Sequence, residues 1–369
     1  MNKLKKQLQS PAFASFLASL ISILAGLLFG FILLLILKPG AALAGMNAML
    51  TTGVSRLDRF AKVLYQTVPI LMCGLSVGFA FKTGLFNIGA SGQYTMGAFF
   101  ALYCALQLQL PWWVCLLAAA VGGAFWGLFP GLFKALFNVN EVITSIMFNW
   151  IGMYLVNLIL ANTPQTLASA WGANNSDRTA NLADANPGAM IPKAGLDKLF
   201  NSPYMSISIF IALGFAILMY VLLQKTTFGY ELKACGMNRH ASQYAGINAK
   251  RNIVLSMVIS GALSGIGGGL YYLAGTGQYV LEKMILMRGF DGIPVALLAN
   301  SHPIGTIFSS LFISYLSVGG NAMQPNFSSE TINIIIAVII YLAAFSLLMR
   351  SMLSHLAAHK KNKEEEADK

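Results

Sequence analysis

A few uncharged polar residues stand inside sequence that is otherwise apolar. Asn87, Ser91 and Gln93 share one short stretch, and Thr144 and Asn149 share another. Amide side chains both donate and accept hydrogen bonds, and a hydroxyl does the same. Phe86 and Trp150, beside them, offer flat faces for a ring, although packing against lipid or core is the stronger explanation for such large aromatics. These groups suit recognition of a polar, neutral solute. They do not suit bond making. The four histidines are scattered without metal-ligand spacing, and Cys73, Cys104, Cys115 and Cys235 form no CxxC pair. No GxxxxGK[ST] run and no Gly-Lys dipeptide is present to cradle a triphosphate.

Glu141 and Asp291 are the acids nearest the apolar runs. A charge at membrane depth is costly and points to function by default. Glu141 reads either as a gate or as a salt-bridge partner. Asp291 reads first as the cap of a short helix beginning at Gly292, its carboxylate accepting backbone N–H bonds, and second as a border of the solute path. No acid falls at the centre of an apolar run, which favours an uncharged cargo.

The elements that hold these residues must be membrane helices. Only 24 Lys+Arg and 13 Asp+Glu occur among 369 residues, and 56% of the chain is hydrophobic. Soluble domains carry about a quarter charged residues. A water-soluble fold, a disordered chain and a small disulfide scaffold are all excluded. Charge-free stretches cover 7–37, 83–133, 142–176, 199–224, 252–281, 292–329 and 331–349, with 63–81 just long enough as well. A spanning helix needs about 20 apolar residues. The runs are apolar on every face, unlike barrel strands. Spans are expected near 12–37, 64–82, 92–110, 113–137, 141–161, 203–224, 252–274, 303–320 and 331–350, with Gln107, Gln109 and Pro111 marking a turn. The first reads as a span, since its apolar run far exceeds that of a cleaved signal peptide.

Lysines near both ends put both termini on the cytoplasmic side, which requires an even number of crossings. The short segment 292–300, before the Ser301-His302-Pro303 break, supplies the tenth as a broken helix. The expectation is an all-α polytopic membrane protein of about ten passes. Residues 1–10 form a cytoplasmic tail, 11–350 the transmembrane domain and 351–369 a charged cytoplasmic tail. This threading leaves 15 of the 24 Lys+Arg inside, so the net charge of +11 reflects membrane orientation. Nucleic-acid binding is not indicated, because no basic patch is interleaved with exposed aromatics.

Two segments outside the membrane stand out. Residues 162–202 are rich in Asn, Ala, Pro and Asp and lie outside, either as a docking surface in which Arg178, Lys193 and Lys198 meet carboxylates or as a solvated ornament. Residues 225–251 lie inside and read as two short amphipathic helices interrupted by Gly236 and Gly246. Their small apolar face suits a protein groove better than lipid headgroups. The glycines at 261, 265, 267, 268 and 269 need only close helix packing as explanation.

Four motifs then carry a resemblance. Leu85-Phe86-Asn87-Ile88-Gly89-Ala90-Ser91-Gly92-Gln93 resembles the LFNIGAEGQ signature of ATP-binding-cassette (ABC) importer permeases of the branched-chain amino acid, simple sugar and nucleoside family, with Ser91 where the signature has Glu. Asn140-Glu141-Val142-Ile143 with Asn149 resembles the family's NEVISTIMLNY segment. Glu231-Leu232 through Tyr244-Ala245-Gly246-Ile247 resembles its cytoplasmic loop. Gly289-Phe290-Asp291-Gly292-Ile293, Val295-Ala296-Leu297-Leu298 and His302-Pro303-Ile304-Gly305 resemble its GFDGIAVALLG…HPIG run. The series spans roughly 60–350 in order and is most similar to the nucleoside-type subunits.

The resemblance implies the family fold and a partner set: a second homologous permease, an ATP-binding subunit with two nucleotide sites, and an extracytoplasmic substrate-binding lipoprotein, in a bacterial inner or plasma membrane. The chain itself would bind no cofactor, ATP and Mg²⁺ sitting on the ATPase. It also implies that Glu231, Gly236, Tyr244, Ala245, Gly246 and Ile247 face a groove in the ATPase. By residue type, Phe86, Asn87, Ser91, Gln93, Glu141, Thr144, Asn149 and Asp291 are the candidates to border the path. The expected function is nucleoside import, with simple sugars or branched-chain amino acids as alternative cargoes. An ion-coupled secondary transporter would place ionisable groups at midplane, and an intramembrane enzyme would cluster His, Asp or Glu. Neither pattern is present.

Overall fold

The computed structural model describes residues 11–344 apart from residue 175. The expected tails 1–10 and 351–369, and the end of the last expected span at 345–350, lie outside the described residues. Among the described residues the chain is helical, with two isolated antiparallel bridges and no strand.

The main helices are α1 (Pro11–Leu37), α2 (Pro39–Ser55), α3 (Leu57–Lys82), α4 (Ala90–Leu106), α5 (Trp112–Phe137), α6 (Glu141–Ala161) and α7 (Ser208–Lys225). After them come α8 (Thr227–Met237), α9 (Arg239–Tyr244), α10 (Ala249–Tyr272), α11 (Arg288–Leu298), α12 (Pro303–Asn321) and α13 (Ser329–Ala344). On length and composition α3, α5, α6, α7, α10 and α12 can each cross a membrane, and Leu24–Leu37 and Ser329–Leu342 are shorter apolar stretches. Side-chain caps start several of the helices. Asn140, Thr226, Asn238 and Asn248 each accept a hydrogen bond from a backbone N–H in the first turn of α6, α8, α9 and α10.

Three expectations need correction. The span expected near 64–82 begins earlier, at Leu57 in α3, and α2 fills 39–55 between it and the first expected span. Hydropathy hides this helical sequence because Asp58, Arg59 and Lys62 sit in the first turns of α3, where the acid complements the helix dipole. Asp291 is not the cap of a helix beginning at Gly292. Backbone bonds from Phe290 N and Asp291 N to Met287 O (2.8 and 3.1 Å) extend the helix back to Arg288, placing Asp291 in its first turn. Finally, α4 starts two residues early and spans only 17 residues, because it begins part-way along its neighbours.

The chain divides into two compact units, 54–315 and 1–53 with 316–369. In the second of these, α1 packs on α13, with Gly26 against Ile339 and Gly30 against Ile335. In the first, α10 is central and packs against α5, α4 and α3. The contacts are backbone-close. A Cβ at Gly97 would sit 2.2 Å from Gly265 Cα, and one at Gly123 would sit 2.2 Å from Gly261 O. Small residues at such crossings let dispersion and polar contacts act between helices that gain no hydrophobic energy from leaving lipid.

The described residues of 162–202 form neither a strand nor a floating loop. Single helical turns fold them into a pad pinned to the segment after α10. Thr179 N donates to Tyr279 O at 2.9 Å, Ile191 N to Leu273 O at 2.9 Å and Leu281 N to Asp177 O at 2.7 Å. The Asn186 amide donates to Ala105 O at 2.8 Å and so ties the pad to the end of α4. On the pad surface Arg178 pairs with its neighbour Asp177 at 3.2 Å, and that hydrogen bond holds the Asp177 carboxyl below its ordinary range.

Candidate functional site

Three serines on one face of α10, Ser256, Ser260 and Ser264, organise the site. They are spaced by four residues, so they stack along a single stripe. The chain leaving α3 climbs this stripe. Thr83 meets Ser256 hydroxyl to hydroxyl, the Asn87 amide donates to Ser260 Oγ at 2.7 Å, and Ser264 Oγ donates to Ala90 O at 2.7 Å. Residues 83–89 therefore rise along α10 in non-helical form, and α4 begins beside the middle of the helix.

Asn87 is the hub of this climb. Its Nδ2 donates to Gln93 Oε1 at 2.7 Å, and Gln93 Nε2 returns a bond to Asn87 Oδ1 at 3.2 Å. Ser76 of α3 joins through Ser260 at 3.0 Å. Every group in this network is buried. An unpaired amide there would lose its hydration with no replacement, which is why the partners come as a closed set.

Asn149 performs a similar service from α6. Its Oδ1 accepts from Gly92 N at 2.7 Å and its Nδ2 donates to Ile88 O at 3.1 Å, clamping both sides of the α4 start. Ser91 hydrogen-bonds Leu286 O, which holds the segment leading into α11. A Cβ at Gly289 would fall 2.2 Å from Ser91 Cα, and one at Gly292 would fall 2.5 Å from the Cys73 carbonyl carbon. α11 thus starts next to α4 at mid-length of α3, then runs back along α3, with Val295 against Gly74 and Ala296 against Gly78. Two short helices begin side by side and diverge. Their aligned peptide dipoles bring two partial positive charges together.

The remaining candidates lie around this junction. Thr144 bonds back to Asn140 O within its own helix. Phe86 stacks on Phe81 with centroids 5.1 Å apart. Glu141 forms an ion pair with Lys134 at 2.9 Å, the salt-bridge reading of that residue, with side chains 14% and 24% exposed. Asp291 is half-buried, and among the described residues no donor bonds its carboxylate. Trp150 stacks on Tyr154 on an exposed face of α6, away from the network.

Sequence reasoning missed two groups. One is the serine stripe on α10, which the four-residue spacing reveals. The other is a tyrosine cluster formed by Tyr65, Tyr204, Tyr271, Tyr272, Tyr94 and Tyr279, with Tyr65 and Tyr271 stacked at 5.2 Å. Arg288 enters it, its guanidinium 4.3 Å from the Tyr271 ring centre and 3.1 Å from the Tyr271 hydroxyl. Tyr65, Tyr94 and Tyr204 are far in sequence from Tyr271, Tyr272, Tyr279 and Arg288, and only the fold brings them together.

The other end of this unit carries the 225–251 segment, folded as the expected two short helices. Leu232 is buried, whereas Tyr230, Met237 and Tyr244 are exposed, the last at 95%. Ala245 and Gly246 are also exposed and Ile247 is half-buried. Two residues expected to face a partner turn inward. Glu231 accepts from Asn252 Nδ2 of α10 at 3.3 Å. Gly236 lies against the turn after α3, where a Cβ would sit 2.8 Å from Gly84 N and 2.8 Å from the Thr83 carbonyl carbon. Gly84 itself has φ +74°, a left-handed turn that favours glycine. α8 therefore touches the foot of the 83–89 climb directly.

Comparison with known proteins decides what this helical unit is. Residues 59–344 match the family described as the branched-chain amino acid transport system permease component. The chain belongs to this permease family. The guanosine ABC transporter permease protein NupP of Bacillus subtilis is 34% identical, over 92% of this chain and 96% of that protein. The nucleoside ABC transporter permease protein NupB of Lactococcus lactis subsp. cremoris is 33% identical, over 93% and 94%. A second Bacillus subtilis protein, the guanosine ABC transporter permease protein NupQ, is 26% identical over 70% of this chain and 82% of its own length. No solved structure gives a significant match. The permease is thus a membrane-embedded transport component and not an enzyme.

Proposed function

We propose that this permease forms half of the translocation path of an ATP-driven nucleoside importer. The observation that carries the transport reading is the junction of two half-helix starts in the middle of α3 and α10, connected through Gly84 and Gly236 to an exposed hairpin of short helices. Broken helices of this kind are tolerated where their open backbone borders a solute path. The cargo follows from the similarity to the guanosine and nucleoside permeases. NupP and NupQ, two different permeases of one organism, support a second homologous permease as the other half. The partner set is completed by an ATPase with two nucleotide sites, which holds ATP and Mg²⁺, and by a substrate-binding lipoprotein outside.

In this reading Tyr230, Met237 and Tyr244, with Ala245, Gly246 and Ile247, dock into the ATPase from the cytoplasm. Closure of the ATPase pair displaces α8 and α9. Because Gly236 abuts Gly84, the displacement reaches the 83–89 climb and then the α4 and α11 starts, and the path opens alternately to each side. Asn87, Ser91, Gln93 and Asn149 frame the path by holding the backbone around it. Phe86, Thr144, Glu141 and Asp291 lie nearer its surface. The ten-pass threading with both termini cytoplasmic, α11 as the broken pass and α2 not counted as one, belongs to the same proposal.

The test is uptake of labelled guanosine into proteoliposomes holding the full complex. Uptake should require ATP inside and the lipoprotein outside, and should persist when ion gradients are collapsed. Uptake that runs without ATP and stops with the gradient would replace this reading with an ion-coupled one.

A further inference from the structure

Between Lys283 and Glu330 only two residues carry charge, Arg288 and Asp291. They stand three residues apart in the first turn of α11, so their Cβ atoms are neighbours at about 5–6 Å. Each keeps unused hydrogen-bonding capacity. Arg288 donates once, to the Tyr271 hydroxyl, and a guanidinium has five donors. No carboxylate pairs with it among the described residues, because the side chain turns toward the tyrosine cluster. Asp291 accepts no hydrogen bond among the described residues and is half-buried. Asn87, Ser91, Gln93 and Asn149 are buried in bonds within the chain and Glu141 is paired, so among the described residues the open groups nearby other than this charged couple are the uncharged hydroxyls of Ser145 and Tyr94.

We propose that Arg288 and Asp291 form a donor–acceptor couple that reads the solute, the Asp291 carboxylate accepting from the vicinal diol of a ribose and Arg288 donating to a carbonyl of the base. A carboxylate is an acceptor with two oxygens and matches two adjacent hydroxyls. A guanidinium is a donor only and matches a carbonyl. A nucleoside with an oxo-substituted base carries both partners in one molecule. A free sugar carries only the first, and a free nucleobase only the second. The Tyr271 ring beneath the guanidinium fixes its plane without consuming all its donors. This inference rests on the nucleoside reading, and it makes Asp291 and Arg288 specificity determinants within it.

The test compares guanosine with 2′,3′-dideoxyguanosine in proteoliposomes of the full complex, with the lipoprotein saturated by either solute. The wild type should move guanosine about tenfold faster or more, the value of one well-made hydrogen bond to a charged group. Asp291→Asn should lower guanosine uptake and leave the dideoxy analogue unchanged, so the ratio collapses toward one. The lipoprotein is the same in both complexes, so its own selectivity cancels in this comparison. Arg288→Lys should lower guanosine uptake while leaving the guanosine to dideoxyguanosine ratio within about twofold. Equal wild-type rates for the two solutes, or an Asp291→Asn complex that keeps the wild-type ratio, would overturn the couple while the importer reading stands. A wild-type complex that moves neither solute overturns the nucleoside reading itself. Where the Asp291→Asn complex fails to assemble, Asp291→Glu takes its place, with the same lowered ratio expected, and equal wild-type rates for the two solutes still overturn the couple.

Discussion

The Asn87 hub shows what single residues contribute. Its amide bonds Gln93 and Ser260 where all three side chains are fully buried, so truncation leaves several polar atoms bare. Each buried group left unpaired costs about 1–3 kcal/mol. Asn87→Ala is therefore expected to destabilise the permease by about that amount or more, seen as a lower melting temperature of the detergent-purified complex. Trp150→Ala is the control. Trp150 is exposed beside Tyr154 and holds nothing in the network, so its replacement should leave the melting temperature unchanged. An Asn87→Ala complex as stable as the wild type would mean that the amide network is replaceable and that the α4 start is held by packing alone.

At the scale of elements, two glycines and one tyrosine separate docking from transmission. Tyr244 is exposed and lies at the end of α9, so Tyr244→Ala should leave the permease fold intact, within about 0.5 kcal/mol, while weakening recovery of the ATPase in a pull-down. Gly236 is different. Its added Cβ would strike the backbone at Thr83 and Gly84, which cannot swing aside as a flexible side chain could. Gly236→Ala should thus retain the ATPase and its ATP turnover but transport fewer guanosine molecules per ATP. Tight coupling in Gly236→Ala would remove the contact with Gly84 from the transmission route. The same elements show what a sequence discloses. The paired short helices of 225–251 were legible because their apolar residues recur at helical steps between two charge-free runs. The inward turn of Gly236 and Glu231 was not, because periodicity gives a face and not its neighbour. Likewise the amides at 87, 93 and 149 stood out by type against apolar surroundings. Their closure into one another depends on α10, and its serine stripe is visible in the sequence only as a four-residue spacing among many small residues. α2 was missed because a charge-gap criterion finds long apolar spans and passes over a shorter, less apolar helix.

For the molecule as a whole, the proposed importer needs two separate surfaces for its two partners. The pad at 162–202 and the hairpin of α8 and α9 lie at opposite ends of α10: Ile191 bonds to Leu273 after its last turn, and Ser242 and Asn248 precede its first. In the proposed importer the lipoprotein meets the outward-facing pad and the ATPase meets the hairpin on the other side of the membrane. Lysine and arginine counts favour that orientation but do so by only 15 of 24. A direct measurement uses Leu199 on the pad and Tyr244 on the hairpin, both exposed. Leu199→Cys should react with a membrane-impermeant maleimide added to intact cells. Tyr244→Cys should react only after the cells are opened. The native thiols give a workable background, because Cys73 and Cys115 are buried and Cys104 and Cys235 are partly so. The reverse labelling pattern would turn the permease over. The ATPase would then be assigned to the pad, and the route through Gly236 and Gly84 would lose its driver.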